Sequence, residues 1–170
     1  MIWLLCLLVL LFGFVVFFGA PYVPSKKSDL RRAFEELYPL GPDDTLVDIG
    51  SGDGIVLRMA AARGARAVGY EINPVLVMIS RILSRATPLV KVYLASFWSA
   101  ELPDETTVIY TFGDSRDINK MANKVQETAD RLSKPLAFIS YGFAIPGQKP
   151  KKQVGAHYLY EILPLQSGRA

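Results

Sequence analysis

The sequence predicts an open, doubly wound α/β sheet with one membrane-spanning helix in front of it, and three observations carry that expectation. From residue 45 onward, apolar runs of strand length alternate with helical patterns. The first run closes on a glycine-rich loop, VDIGSGDG at 47–54, and the second closes on an acid, Glu71. The first 20 residues, MIWLLCLLVLLFGFVVFFGA, carry no charge.

With 170 residues and 51% hydrophobic character, the chain has room for one compact domain and a short addition. The addition is the uncharged start. At about 1.5 Å per residue, a helix of that length reaches about 30 Å, the thickness of a bilayer's hydrocarbon core. A cleaved signal peptide would need a basic opening and a small-x-small site. The chain instead opens Met-Ile-Trp and places Phe18 two residues before Ala20, so residues 1–20 are expected to stay as a single-pass anchor. Lys26, Lys27, Arg31 and Arg32 follow the apolar run, which puts the C-terminal part on the cytoplasmic or an equivalent side. Trp3 and Tyr22 suit the two interfaces. The expected organisation is an anchor at 1–20, a linker and N-terminal helix at 21–44, and the α/β domain at 45–170.

The single cysteine, Cys6, lies inside the apolar segment, so neither a disulfide framework nor a reactive thiolate is expected. No metal-ligating pattern is present either. The net charge of +3 is small, and Lys149, Lys151 and Lys152 form a late cluster. This basic character suits a solvated surface or lipid headgroups, and no nucleic-acid partner is expected.

After the linker, Leu30, Ala33, Phe34 and Leu37 mark one face of a short helix, with Ser28 as its expected N-cap and Pro39 beyond its end. Strands are expected at 45–50, 65–71, 89–95, 106–113, 136–143 and 157–163. Between them, a helix over 54–62 stops at Gly64, and Asn73-Pro74 opens a helix to about Ser84. A third helix, up to Lys134, buries Ile118, Met121, Ala122, Val125, Ala129 and Leu132. The spacing implies parallel strands joined by right-handed crossovers, with ligands bound at the strands' carboxyl ends.

Gly50, Ser51, Gly52, Asp53 and Gly54 occupy the first such end, where bare backbone lets a ligand approach closely. A dinucleotide fingerprint, G-x-G-x-x-G, would need glycine at position 55, which is Ile. The loop is G-x-G-x-G, preceded by Asp48, and Glu71 stands about twenty residues on, where a carboxylate can accept ribose hydroxyls. An NAD-dependent oxidoreductase is therefore disfavoured.

VDIGSGDG and VGYEINP (68–74) resemble the first and second motifs of class I S-adenosylmethionine-dependent methyltransferases, whose domain is a Rossmann-like sheet. The resemblance implies that Gly50 to Gly54 wrap the methionine part of S-adenosyl-L-methionine, with Asp48 near its ammonium group and Glu71, with Ile72 and Asn73, at the ribose. An uncharged start, PYVPS (21–25), Ser80-Arg81, Phe97-Trp98 and F-x-x-P-G-x-K-P (143–150) are similar to the membrane-anchored protein-lysine methyltransferases. That family includes the mitochondrial enzymes acting on the ATP synthase c-subunit and the adenine nucleotide translocase, with prokaryotic relatives. It implies roles for Tyr22 in the cofactor and substrate site and for Ser96, Phe97 and Trp98 at the adenine. The chain departs from the family pattern at Ile55, where an arginine is frequent, and at Ser96, where an acid is usual. A seventh strand, usual in class I enzymes, is expected to be short or missing.

Transfer to an amine needs alignment more than acid-base machinery. Asp114, just past the fourth strand, is the candidate for orienting the amine, and Tyr141, with Phe143, is the candidate wall favouring a cation. His157 on the late strand reads as a satisfied or surface histidine rather than a base. The expected function is methylation of lysine in a membrane protein. The alternative is a non-catalytic module that binds S-adenosylmethionine or a partner.

Overall fold

The computed structural model describes residue 2 and residues 26–113 and 115–165. The expected anchor beyond Ile2, most of the linker, Tyr22 and Asp114 lie outside the described residues. Among the described residues, no helix is long and apolar enough to cross a membrane.

Helix α1, Lys27–Arg32, runs directly into one π-helical turn, Ala33–Leu37. Its buried side is the expected one, Leu30, Ala33, Phe34 and Leu37. Its start is not. The N-cap position is Lys26, without a side-chain cap, and the Ser28 hydroxyl bonds Asp29 Oδ1 at 3.3 Å instead. The Tyr38 N–H reaches Ala33 O at 2.9 Å, an i to i+5 bond, and Pro39 then offers no N–H to continue the helix.

The remaining elements follow in order: β1 (Thr45–Ile49), α2 (Ile55–Ala61), β2 (Arg66–Glu71), α3 (Pro74–Leu83), β3 (Val90–Leu94), β4 (Val108–Phe112), α4 (Ile118–Leu132), β5 (Leu136–Tyr141), β6 (Lys152–Val154) and β7 (His157–Ile162). Asn73 caps α3 as expected, its Oδ1 accepting from the Val75 N–H at 2.9 Å. The strands form one seven-stranded sheet in the order β3-β2-β1-β4-β5-β7-β6. The first five are parallel, but β7 runs antiparallel to β5 and β6 antiparallel to β7. The wholly parallel sheet expected from the sequence is thereby corrected. No described helix lies between β5 and β7 to carry a crossover, so the chain returns as a hairpin. The seventh strand is present and short: β6 has three residues, and the run expected as the sixth strand is β7.

Two hydrophobic clusters flank the sheet. One joins α1, the π turn, α2 and Val77 of α3 to Leu46, Val108 and Tyr110, and the other joins α4 to Val47, Ile109 and Phe138. Alternation along β1 thus sends Leu46 to one face and Val47 and Ile49 to the other. β1 is fully buried because it lies inside the sheet with helices on both faces. β3, similar in composition, is the sheet's edge strand and leaves Lys91, Tyr93 and Leu94 exposed.

Candidate active site

The parallel strands bring their carboxyl ends to one rim. β1 leads into 50–54, β2 ends at Glu71, β3 leads toward Ser96, β4 ends beside Gly113 and β5 ends at Tyr141. The chain order reverses between β1 and β4, and such switch points are where open α/β sheets bind ligands. Across the sheet, at the amino ends of β4 and β5, a separate cavity is lined by Tyr38, Thr107, Ala137 and Lys151.

The glycine loop is built by backbone geometry. Gly50, Gly52 and Gly54 take φ of 70°, 54° and 77°, a region unfavourable for residues with a Cβ. The Gly50 and Ser51 N–H groups both donate to Tyr70 O, at 2.9 and 3.1 Å, which ties the loop to β2. A Cβ on Gly50 would meet nothing within 4 Å, so the space above it is open to a ligand. A Cβ on Gly54 would stand 2.1 Å from Ser80 Oγ, so this glycine serves packing against α3. Ser51 is turned inward. Its hydroxyl is buried without a hydrogen-bond partner, against Gly69, whose missing Cβ leaves the space it fills.

Glu71 closes the loop. It is 8% exposed; its Oε2 accepts from the Gly52 N–H at 3.0 Å and its Oε1 from the Asn73 N–H at 2.8 Å. A carboxylate offers about four lone-pair sites, so acceptor capacity remains for a diol. Asp48 is buried at the end of β1, and burial, then the charges of Glu71 and Asp53, push its carboxyl well above the usual range. Three carboxylates around one loop favour a bound cation. Asp53 accepts from the Ile55 N–H at 3.0 Å, and its other oxygen faces the Arg58 guanidinium at 3.4 Å. Arg58 also donates to the Asp53 carbonyl, so the loop has a cation although position 55 is Ile.

The other candidate residues divide. Ile72 is 45% exposed beside the rim, while the side-chain oxygen of Asn73 is engaged in capping α3. Ser96 is half-buried, and its carbonyl accepts from the Ser99 and Ala100 N–H groups, at 3.3 and 3.1 Å. The Phe97 ring belongs to the core cluster against α4, so only its backbone is left for a ligand. Trp98 is half-buried, with Lys120 Nζ 4.2 Å from its ring centroid.

At the end of β5, the Tyr141 hydroxyl donates to Asp29 Oδ2 at 3.3 Å. Its ring lies 5.0 Å from Phe112 and 4.6 Å from His157, centroid to centroid. Burial, then Asp29, raises the Tyr141 phenol, which keeps it neutral. Phe143 is exposed in the turn after β5 with its side chain beside Gly113, and the Ser140 hydroxyl pins that turn by donating to Phe143 O at 2.7 Å. His157 is buried, its Nε2 3.1 Å from the Tyr110 hydroxyl, in agreement with a satisfied histidine. Asp29, Phe112 and Arg58 escaped the sequence reading. Asp29 meets its partner 112 residues away, a distance over which periodicity carries no signal.

Comparison with known proteins places this geometry. A model of the ANTKMT methyltransferase domain matches residues 48–152, more than half of the chain. The human ATP synthase c-subunit lysine N-methyltransferase is 29% identical over 138 residues, covering 79% of this chain and 57% of its own length. A protein-lysine N-methyltransferase of Saccharolobus islandicus is 28% identical over 141 residues, covering 79% and 83%. An RNA methyltransferase from Salinibacter ruber, solved with S-adenosyl-L-homocysteine, superposes with a TM-score of 0.69 at 26% identity, covering 87% of this chain and 98% of its own. The chain spans about half the length of the c-subunit methyltransferases it matches. With the glycine loop, its acid and the seven-stranded sheet inside or beside the matched region, the chain belongs to the ANTKMT methyltransferase domain family.

Proposed function

We propose that this chain transfers a methyl group from S-adenosyl-L-methionine to a lysine side chain of a membrane protein. In this reading residues 1–20 hold it in a bilayer, with the domain on the cytoplasmic or an equivalent side. The observation that carries the reading is Glu71, fixed at the mouth of an open glycine loop by the Gly52 and Asn73 N–H groups with acceptor capacity left for a ribose diol. The names of the relatives support lysine as the acceptor, and the uncharged start supports a target that shares the bilayer, where anchoring raises the effective concentration.

The donor, when bound, supplies an electrophilic methyl on a sulfonium. The loop backbone and Glu71 hold it, and the Asp48, Asp53 and Glu71 carboxylates balance its positive charge. Tyr141, kept as a phenol, forms with Phe112 and Phe143 an aromatic wall that tolerates a cationic amine. Asp114, next in sequence to Gly113, is assigned to orient that amine through one N–H. The amine must lose its proton before attack, which a desolvated surrounding favours.

The test is calorimetric titration of the full chain in detergent with S-adenosylmethionine and, in parallel, NADH, followed by methyl transfer to membrane extracts read by mass spectrometry. Binding of the first alone, and methyl-lysine that disappears in a folded Glu71→Ala variant, are expected. Binding without transfer would leave a cofactor-binding module, and methyl groups on RNA adenine would move the acceptor to nucleic acid.

A further inference from the structure

Helix α3 and edge strand β3 turn an apolar surface outward. Met78, Ile79, Ile82 and Leu83 are exposed on α3, and Leu94 at the end of β3 shares their side of the sheet, whereas Tyr93 stacks on Tyr70 on the other side. On its other side α3 buries Val77 and Ser80 against the domain, so the helix is apolar toward the sheet and apolar toward the outside. A helix of that kind is covered on both sides in its working state.

Charge indicates what covers it. Residues 72–100 contain no acid and three basic residues, Arg81, Arg85 and Lys91. The Arg81 guanidinium is pinned to Val92 O at 2.7 and 3.1 Å, and Arg85 is exposed just past the helix, while Lys91 alternates with Val92 onto the other side of the sheet. On the opposite face of the sheet, α4 mixes signs, with Lys120, Lys124, Glu127, Asp130 and Arg131. An exposed apolar face whose own segment supplies cations and no acid is complementary to the headgroups and upper acyl chains of an anionic bilayer. Its position adds to the case: Ile72 directly follows Glu71, and Leu94 ends β3 at the same rim as the glycine loop.

We propose that the α3–β3 face docks into the surface of an anionic bilayer and so turns the strand carboxyl ends toward the membrane. The proposal builds on the reading of the chain as a bilayer-held methyltransferase, and it concerns a contact separate from residues 1–20. The protein for the test is the full chain with Cys6→Ser and one labelling cysteine, Met78→Cys on α3 or Glu127→Cys on α4 as the reference. Each carries an environment-sensitive fluorophore and is reconstituted into phosphatidylcholine vesicles containing phosphatidylglycerol. The label at 78 is expected to shift to the blue, to be quenched by brominated acyl chains, and to be reached several-fold less by acrylamide than the label at 127. Arg85→Glu should reverse part of that protection. Equal acrylamide quenching at 78 and 127 overturns the proposal. A label at 78 that neither quencher reaches means that protein covers the face, a second copy or residues 1–20, and overturns it equally. S-adenosylmethionine binding by the same labelled chains is scored apart: binding with a water-exposed label removes only the docking, and a lipid-buried label without binding removes only the methyltransferase reading.

Discussion

Asp48 is costly to the ligand-free fold. Burial, with Glu71 and Asp53 nearby, raises its carboxyl above the unfolded value. The folded chain therefore holds the proton more tightly. That contribution is complete below the unfolded pKa and is lost as pH rises, so near neutral pH Asp48 destabilises the ligand-free protein. Asp48→Asn should raise the ligand-free melting midpoint, by about 2–4 °C for each kcal/mol relieved, and flatten its decline with pH. The same variant should bind S-adenosylmethionine more weakly, because one balancing charge is gone. Calorimetry on both proteins checks the pair, and a variant that binds normally removes Asp48 from the site.

His157 has the opposite slope. Burial lowers its imidazole to about 4, with the Asp29 charge opposing. The unfolded chain takes up the proton near the ordinary value, so stability is present above that value and falls as pH drops through the window from about 6.5 to 4. Denaturant midpoints across that window should fall in the wild type and hold steadier in His157→Gln; parallel curves would assign the loss to other groups.

At the scale of elements, the junction of α2 with α3 depends on one missing methyl. Gly54→Ala forces both an unfavourable φ and a contact with Ser80 Oγ. A loss of about 2–4 kcal/mol in unfolding free energy is expected, combining backbone strain with overpacking. Ser80→Ala removes a buried hydroxyl that has no partner, so alone it should be near neutral, and in combination it should restore the packing part of the loss. Additive effects would mean that the two residues do not meet.

The elements that local rules govern were readable in advance. Asn73-Pro74 opens α3, the glycine loop follows β1, and α4 buries the face its periodicity marks. What escaped is set by distant partners. β3 has the composition of β1 but is an edge, and strand position in a sheet is not written in a strand's own residues. The direction of β7 follows from the segment that precedes it, and the three residues of β6 are too few to show alternation. At the rim, loop and acid were legible because each directly follows or ends its strand in the sequence. The inward turn of Phe97 was not, since a core ring and a ligand-binding ring look alike in sequence.

For the whole molecule, a ligand that binds across the rim, between the loop after β1 and the end of β2, should stabilise the fold by mass action. At 100-fold excess over Kd the gain is about 2.7 kcal/mol, or roughly 5–10 °C in melting midpoint. Scanning fluorimetry with S-adenosylmethionine should record that rise in the wild type and little in Glu71→Ala; an equal rise in both would remove Glu71 as the ribose acceptor.

The contacts of α1 reach across nearly the full described chain. Asp29 meets Tyr141, and the ammonium of Lys152 bonds the Glu36 carbonyl. These contacts of α1 and the π turn can therefore form only after β5 and the final hairpin have been made. At 5–20 residues per second, the 112 residues between Asp29 and Tyr141 take about 6–22 s to synthesise. Throughout that interval Leu30, Ala33, Phe34 and Leu37 lack part of their cover, so truncations within the final hairpin should leave that apolar face exposed and be degraded in cells.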